Sequence, residues 1–378
     1  MNKVDISSQV DSNRHFILIG GFLGAGKTTI IGKLTQYLEK NCKKVALITN
    51  DQGEGLMDTA SARNASLGSQ NIAEITGGCF CCRLDELVDS IKVLDDSTRP
   101  DVMIAEPVGS CTDLMATVLQ PLEKIYQTPL TLAPLAVVLD ARRALATLGG
   151  RKKHRSFHRD VGYVYLKQLE EAEWLIANKC DLLNDSDLEN LRSIISQKYP
   201  TRKLHFVSAK SGDGLEVFFS DLLGNESSPG KMMEVDYERY AEGEAMLGWV
   251  NLAAEVLLSA APGPWLQSLG EKVAAALAAN EHEVGHFKMS LTGQGKRWRV
   301  HQVMGSEEVE LFEEEVSADD PSGAPELRML VNLRAEGDAK RLQAYVHAAL
   351  DEQTEARVSF HQQAAFQPGK PEPTHRIA

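Results

Sequence analysis

"GFLGAGKT", residues 21–28, decides the fold. It fits GxxxxGK[ST] and stands between an apolar run, His15 to Gly20, and a helical pattern, "TTIIGKLTQYLEKN", that starts at Thr28. A strand that runs into a glycine-rich loop and then a helix is the context in which this spacing makes a phosphate-binding loop. Gly21, Gly24 and Gly26 let the backbone curl so that its N–H groups face phosphate oxygens. The helix N-terminus adds a favourable dipole. Lys27 places a point charge on the β- and γ-phosphates, and the Thr28 hydroxyl can ligate Mg²⁺. Ala25 and Thr29 complete the nucleotide-binding stretch.

Outward from this loop, short apolar runs recur: "KKVALITND", "DVMIAEP", "LAPLAVVLD", "AEWLIANK" and "KLHFVSAK". Helical stretches such as "LDELVDSIKVLDD" and "SDLENLRSIISQKY" separate most of them. Strands alternating with helices predict an α/β domain with a mostly parallel sheet covered on both faces. Asn178, Lys179 and Asp181 end one of these strands in the pattern NKxD. A carboxylate at Asp181 can accept from guanine N1–H and N2–H₂. Adenine lacks that donor pair and would leave the carboxylate unpaired. Ser208, Ala209 and Lys210 end the next strand as an SAK element that supports the base. GTP is therefore the expected nucleotide. Asp51 and Glu106 also end strands, at the edge where open parallel sheets bind ligands. Either can hold Mg²⁺ or orient the attacking water, and Gly109 follows Glu106 at a spacing where its N–H can sense the γ-phosphate.

The chain has 378 residues, 43% of them hydrophobic and 25% charged, with a net charge of −13. That length suggests two domains, and the acidic balance argues against a nucleic-acid or anionic-membrane binder. The basic run 151–159 reads as a solvated face; His154 and His158 within it are at helical spacing but rank low as a metal pair. The N-terminus has no apolar signal segment, and no stretch is long enough to span a bilayer, so a cytoplasmic protein is expected. We expect an arm over 1–14, a P-loop GTPase domain over 15–223, a linker over 224–236, a C-terminal α+β domain over 237–366 and a Pro-rich tail over 367–378. The C-terminal pattern runs roughly βαββαβ, with "RWRVHQVM" extending into a hairpin with "EVELFEEEV", which suggests a ferredoxin-like domain.

"TGGCFCCR", residues 76–83, holds Cys79, Cys81 and Cys82. Three thiolates in a short stretch suit Zn²⁺, with Co²⁺ and Ni²⁺ as alternatives. A thiol redox loop and apolar packing are the other readings. Gly77, Gly78 and Arg83 around the cluster favour a loop over a packed core. A closed metal site needs a fourth ligand, for which Cys111, Glu74, a histidine or water are candidates. Cys42 and Cys180 read as structural.

"GGFLGAGKTT", "EITGGCFCC", "YLKQLEEAEWLIANKCDL" and "FVSAKSGDGL" together resemble the CobW-type metallochaperone GTPases, relatives of the nickel-insertion GTPases of urease and hydrogenase. The resemblance covers roughly residues 15–223. It implies binding of GTP and Mg²⁺, slow intrinsic hydrolysis, a transition metal at Cys79, Cys81 and Cys82, and delivery to a client metalloprotein or cofactor-assembly protein. It also implies a nucleotide-dependent homodimer. The chain departs from the family at Glu106-Pro-Val-Gly-Ser-Cys111, where the family usually has Glu-Ser/Thr followed by Gly-Leu. It also lacks the histidine-rich C-terminal stretch of some members.

Overall fold

The computed structural model describes residues 14–51, 71–149, 157–228, 232–302, 309–316 and 327–377. Residues 1–13 of the expected N-terminal arm and His154 lie outside the described residues, and so does the side chain of Asp51.

The first unit is built on β1 (His15–Gly21), α1 (Lys27–Lys40), β2 (Val45–Asp51), β3 (Ile72–Thr76), α2 (Leu84–Thr98) and β4 (Val102–Glu106). A π-helical turn at Met115–Leu119 runs into α3 (Gln120–Lys124). Then come β5 (Thr131–Leu132), β6 (Ala136–Asp140), α4 (Ala141–Leu148), α5 (Arg159–Glu171), β7 (Trp174–Asn178), α6 (Asp185–Lys198), β8 (Lys203–Phe206) and α7 (Leu215–Leu223). Its main sheet has the order β3-β2-β4-β1-β6-β7-β8, and each of its pairings is parallel. Phe16, Ile17, Leu18 and Ile19 of β1 are fully buried. A central parallel strand is covered by helices on both faces, so it reads as an unbroken apolar run. In α1, Ile30, Ile31, Leu34 and Leu38 fall on one helical face and bury it against the sheet.

The second unit follows α8 (Tyr237–Ala245): β9 (Leu247–Leu258), α9 (Pro262–Ala279), β10 (Val284–Gly293), β11 (Lys296–Gln302), β12 (Val309–Glu315), β13 (Leu327–Glu336), α10 (Ala339–Asp351) and β14 (Ala356–Phe366). The sheet order is β12-β11-β10-β13-β9-β14, antiparallel throughout. Four of these strands, in the order β14-β9-β13-β10, together with α9 and α10 make the expected ferredoxin-like core. The β11–β12 hairpin is inserted after the second core strand and widens the sheet at that edge. The edge strand β14 alternates between half-buried and exposed residues, as a strand with one solvated face does.

Among the elements not singled out in the sequence are β3, α4, α5 and α8. β3 is half-buried at the sheet edge and lacks the unbroken apolar run that marks β4, β6 and β7. α4 and α5 flank the basic run. α8 lies in the polar stretch "YERYAEGEA" and buries Tyr240, Gly243 and Glu244 against the first unit. Asp236 caps it, accepting from the N–H groups of Glu238 and Arg239. Residues 227–228 run along the first unit: Ser227 N donates to Leu132 O at 2.7 Å and Ser228 N to Glu173 Oε1 at 2.7 Å. The core of the first unit continues into Leu247 and Trp249 of β9.

Candidate functional site

All strands of the first sheet are parallel, so the loops after β1, β4, β6 and β7 gather at one edge. The loop after β1 is shaped by left-handed backbone at Gly24 (φ 73°) and Gly26 (φ 100°). At Gly26 a Cβ would stand 2.3 Å from Asn178 Nδ2, so only glycine fits. Lys27 is buried and its Nζ donates to Gly21 O at 2.8 Å. Thr28 Oγ1 donates to Glu106 Oε1 at 2.8 Å. The hydroxyl and carboxylate that suit Mg²⁺ are thus already paired. Gly109 lies against the same loop: a Cβ there would meet Leu23 Cδ2 at 2.9 Å and Lys27 Nζ at 3.0 Å.

Asn178 joins two neighbouring segments. Its Nδ2 donates to Ala25 O at 2.8 Å, and its Oδ1 accepts from Ala209 N at 2.9 Å. Lys179 adopts φ 65° and places Nζ 2.7 Å from Asp140 Oδ2. Asp181 accepts from Ser208 Oγ at 2.6 Å. Lys210 turns instead toward the second unit, 3.7 Å from Glu310 Oε1. The phosphate-loop, NKxD and SAK residues therefore converge on one edge, with Asp140 among them.

Asp140 was missed in the sequence, although it ends a strand in the way that singled out Glu106. Its carboxylate caps α4 through Arg142 N and Arg143 N. Burial opposes its ionisation, but the Lys179 ammonium outweighs this and holds the carboxyl below its usual range. Arg143 was also missed. Its Nη1 donates to Leu23 O at 3.0 Å, and its guanidinium lies 5.2 Å and 4.9 Å from the ring centres of Phe22 and Phe157. That stacking braces the phosphate loop from behind.

The three cysteines occupy the turn between β3 and α2. Cys79 Sγ lies 2.9 Å from Cys81 Sγ and 3.3 Å from Cys82 Sγ, and Cys81 Sγ is 3.7 Å from Cys82 Sγ. All are free thiols. The turn differs from the open loop that the flanking glycines suggested. Cys79 and Cys81 are buried in the core of the first unit, and only Cys82 is half-exposed to solvent. Asn50 of β2 fixes the turn: its Nδ2 donates to Ile75 O at 3.0 Å and Gly78 O at 2.7 Å, and its Oδ1 accepts from Phe80 N at 3.0 Å. Cys82 N and Arg83 N both donate to Cys79 O.

The Cys79 thiol is held well below the ordinary cysteine range, first by the Cys111 S–H and then by those of Cys81 and Cys82. Cys81 and Cys111 are pushed the other way, since each donates to Cys79 in a buried setting. Cys111 thus lies beside Cys79, although it is outside the group of mutually close ligand atoms formed by the other three. Glu74, the other expected candidate, sits on β3 outside the group of convergent ligand atoms, with its buried Oε1 unpartnered among the described residues. Glu244 of α8 was not anticipated. It is buried, its carboxyl is pushed up to about 8 by burial and then by Cys79, and its Oε1 has no hydrogen-bond partner among the described residues.

Tetrahedral zinc thiolates have Zn–S near 2.3 Å, which sets neighbouring sulfurs about 3.8 Å apart. The triad is close to that spacing, and the Cys79–Cys81 pair needs to open by less than about 1 Å. The donor set therefore fits a thiophilic metal. His282, by contrast, is occupied elsewhere, within hydrogen-bond distance of Glu336 O and Tyr345 Oη.

Among curated proteins, the chain is 28% identical over 228 residues to the zinc chaperone CobW of a Sinorhizobium species, covering 55% of this chain and 61% of that protein. It is 29% identical over 171 residues to the zinc chaperone YeiR of Escherichia coli, covering 43% and 46%. The matches thus span less than two thirds of these relatives. Among solved structures, HypB from Helicobacter pylori in complex with nickel is similar at 17% identity and a TM-score of 0.41, covering 56% of this chain and 87% of that one. The family model for the CobW/HypB/UreG nucleotide-binding domain matches residues 15–206, half of the chain. With its phosphate loop, NKxD loop and cysteine turn on one parallel sheet, the chain belongs to the CobW/HypB/UreG nucleotide-binding-domain family.

Proposed function

We propose that this chain is a GTP-hydrolysing metallochaperone that carries a transition metal, zinc by preference, on Cys79, Cys81 and Cys82 and hands it to a client metalloprotein or cofactor-assembly protein. The observation that carries the reading is the convergence of three free thiols within 2.9–3.7 Å on the turn after β3, in the same parallel sheet as the phosphate loop. The names of the curated relatives, zinc chaperones both, support zinc over cobalt or nickel.

In this reading Gly21 to Thr29 hold the phosphates, with Lys27 moving from Gly21 O to the β- and γ-phosphate oxygens. Asp181, backed by Ser208 and Ala209, reads the guanine edge, and Lys210 would have to turn back from Glu310 to join them, while Asn178 and Lys179 hold that loop against Ala25 and Asp140. Mg²⁺, held by Thr28 with Glu106 or Asp51, would neutralise charge on the transferred phosphoryl group. Coupling between nucleotide and metal runs through residues 106–111. Glu106 pairs with Thr28, Gly109 lies on Lys27, and Cys111 faces Cys79. A γ-phosphate that draws Lys27 and Gly109 moves the backbone that ends in Cys111.

The test is a zinc titration of the wild type and of the Cys79/Cys81/Cys82→Ser triple variant, each with and without a non-hydrolysable GTP analogue. We expect the triple variant to lose zinc affinity by about 100-fold or more, and the analogue to shift wild-type affinity by about 5-fold or more. By linkage, zinc then shifts nucleotide affinity by the same factor. Equal zinc affinity in the wild type and the triple variant would falsify the metal reading. Zinc binding indifferent to nucleotide makes the site structural and ends the delivery reading.

A further inference from the structure

The C-terminal residues return to the cysteine turn from a strand of the other sheet. Glu372 N donates to Cys82 Sγ at 3.3 Å. Thr374 N donates to Cys81 O at 2.8 Å, and Thr374 Oγ1 to Cys82 O at 3.3 Å. Ile377 N donates to Ala116 O at 2.9 Å, and the His375 ring lies 5.9 Å from that of Tyr126. Lys370 pairs with Glu238 at one end. At the other, Arg376 Nε donates to Oδ2 of the buried Asp113 at 2.6 Å, and its Nη2 to Met233 O at 2.8 Å.

We propose that residues 370–377 form a strap that partly covers the thiol site, latched by Arg376 on Asp113, so that metal exchange is slow until the strap lifts. This rests on the metal reading of the cysteine turn. Cys82 is the half-exposed member of the triad, and the strap crosses it. A backbone N–H aimed at a thiolate sulfur also steadies the charged form, as outer-shell donors do at metal sites. Pro371 is buried, but Glu372, Thr374 and Arg376 are exposed. The strap is therefore held mainly by a few hydrogen bonds and two ion pairs, with only Pro371 fully buried. Segments held in that way open locally at low free energy while the rest of the fold stays closed. A client segment that bids for Asp113 with its own cation would lift the strap and expose the thiols in one event.

The test uses the full chain and two readouts: the rate at which zinc passes to a chromogenic chelator, and the rate at which a thiol reagent labels Cys82 in the zinc-free protein. Arg376→Ala is expected to speed both by about tenfold, the factor for losing one charged latch, and Arg376→Lys by less. Thr374→Pro removes the N–H that meets Cys81 O and leaves the Arg376–Asp113 pair in place. It is expected to act in the same direction, which guards against a fold lost through an unpaired Asp113. Rates equal to wild type in both Arg376→Ala and Thr374→Pro overturn the strap. If the wild type holds no zinc, the metal reading fails by itself, and the labelling rates still decide whether the strap covers Cys82.

Discussion

At the residue scale, Asn50 has more influence on the cysteine turn than any cysteine has on its own geometry. One side-chain amide meets two carbonyls and one N–H: Ile75 O near the end of β3, and Gly78 O and Phe80 N of the turn. Asn50→Ala strands these groups in a buried setting. Each unpaired buried polar group costs about 1–3 kcal/mol, partly relieved by relaxation. We expect a loss of about 2–3 kcal/mol in urea unfolding, together with weaker zinc binding while the thiols themselves are intact. A variant as stable as the wild type with unchanged zinc affinity would show that the turn holds its shape without Asn50. Nothing in the local sequence marks Asn50 for this task. It reads as the penultimate residue of "VALITND", and its partners lie 25–30 residues on. Asp181 and Lys27 are the opposite case, legible because their roles follow from spacing within one short segment.

At the element scale, α5 holds the segment after Cys111. Glu171 at its end accepts from Thr112 Oγ1 at 3.1 Å and Met115 N at 3.2 Å, while Gln168 Nε2 donates to Gly109 O and Cys111 O at 3.0 and 2.7 Å. Burial, then the nearby Asp113, pushes the Glu171 carboxyl up to about 8. The folded protein therefore keeps a proton there that the unfolded chain gives up above its ordinary value of 4.5. Native binds more protons than unfolded between these two values, so stability falls as pH rises through that window, and the loss is complete above about 8. We expect the urea midpoint of the wild type to decline between about pH 5 and about pH 8, and Glu171→Gln to decline less. An unchanged slope in Glu171→Gln would assign the pH dependence to other groups. The amphipathic elements α1, α2 and α6 were legible from their apolar spacing. α5 and α8 were not, because each buries polar residues (Gln168 and Glu171, Glu244) that pattern reading assigns to solvent.

At the scale of the whole molecule, the two sheets are joined by more than a linker. Leu247 and Trp249, on a strand of the second sheet, belong to the core of the first unit, and Trp249 stacks near Phe366. The Arg334 guanidinium lies 3.9 Å from the Trp249 ring centre. Gly285, near the start of β10, lies so close to the phosphate loop that a Cβ there would stand 3.1 Å from Leu23 Cδ1. Such a shared core predicts one cooperative unfolding transition seen alike by calorimetry and by far-UV circular dichroism. Trp249→Ala is expected to cost about 3–5 kcal/mol and to split the transition into two. Two transitions already present in the wild type would mean that the seam is too weak to couple the units.

The sequence by itself determined the parallel α/β unit, its phosphate loop, its NKxD loop and the thiol triad. Each is written in residues close along the chain, where backbone geometry and spacing alone set the chemistry. It also carried the ferredoxin-like order of the second unit, because apolar strand runs and helical stretches there alternate between turn and loop residues. Only the tertiary structure decided what surrounds the thiols. Asn50, Cys111, Glu244 and Glu372 meet the turn from four separate parts of the chain, the last of them 290 residues from its partner Cys82. Local periodicity says which face of an element is buried. Which distant side chain arrives at that face depends on the packing of every element between them, and that is a property of the folded molecule.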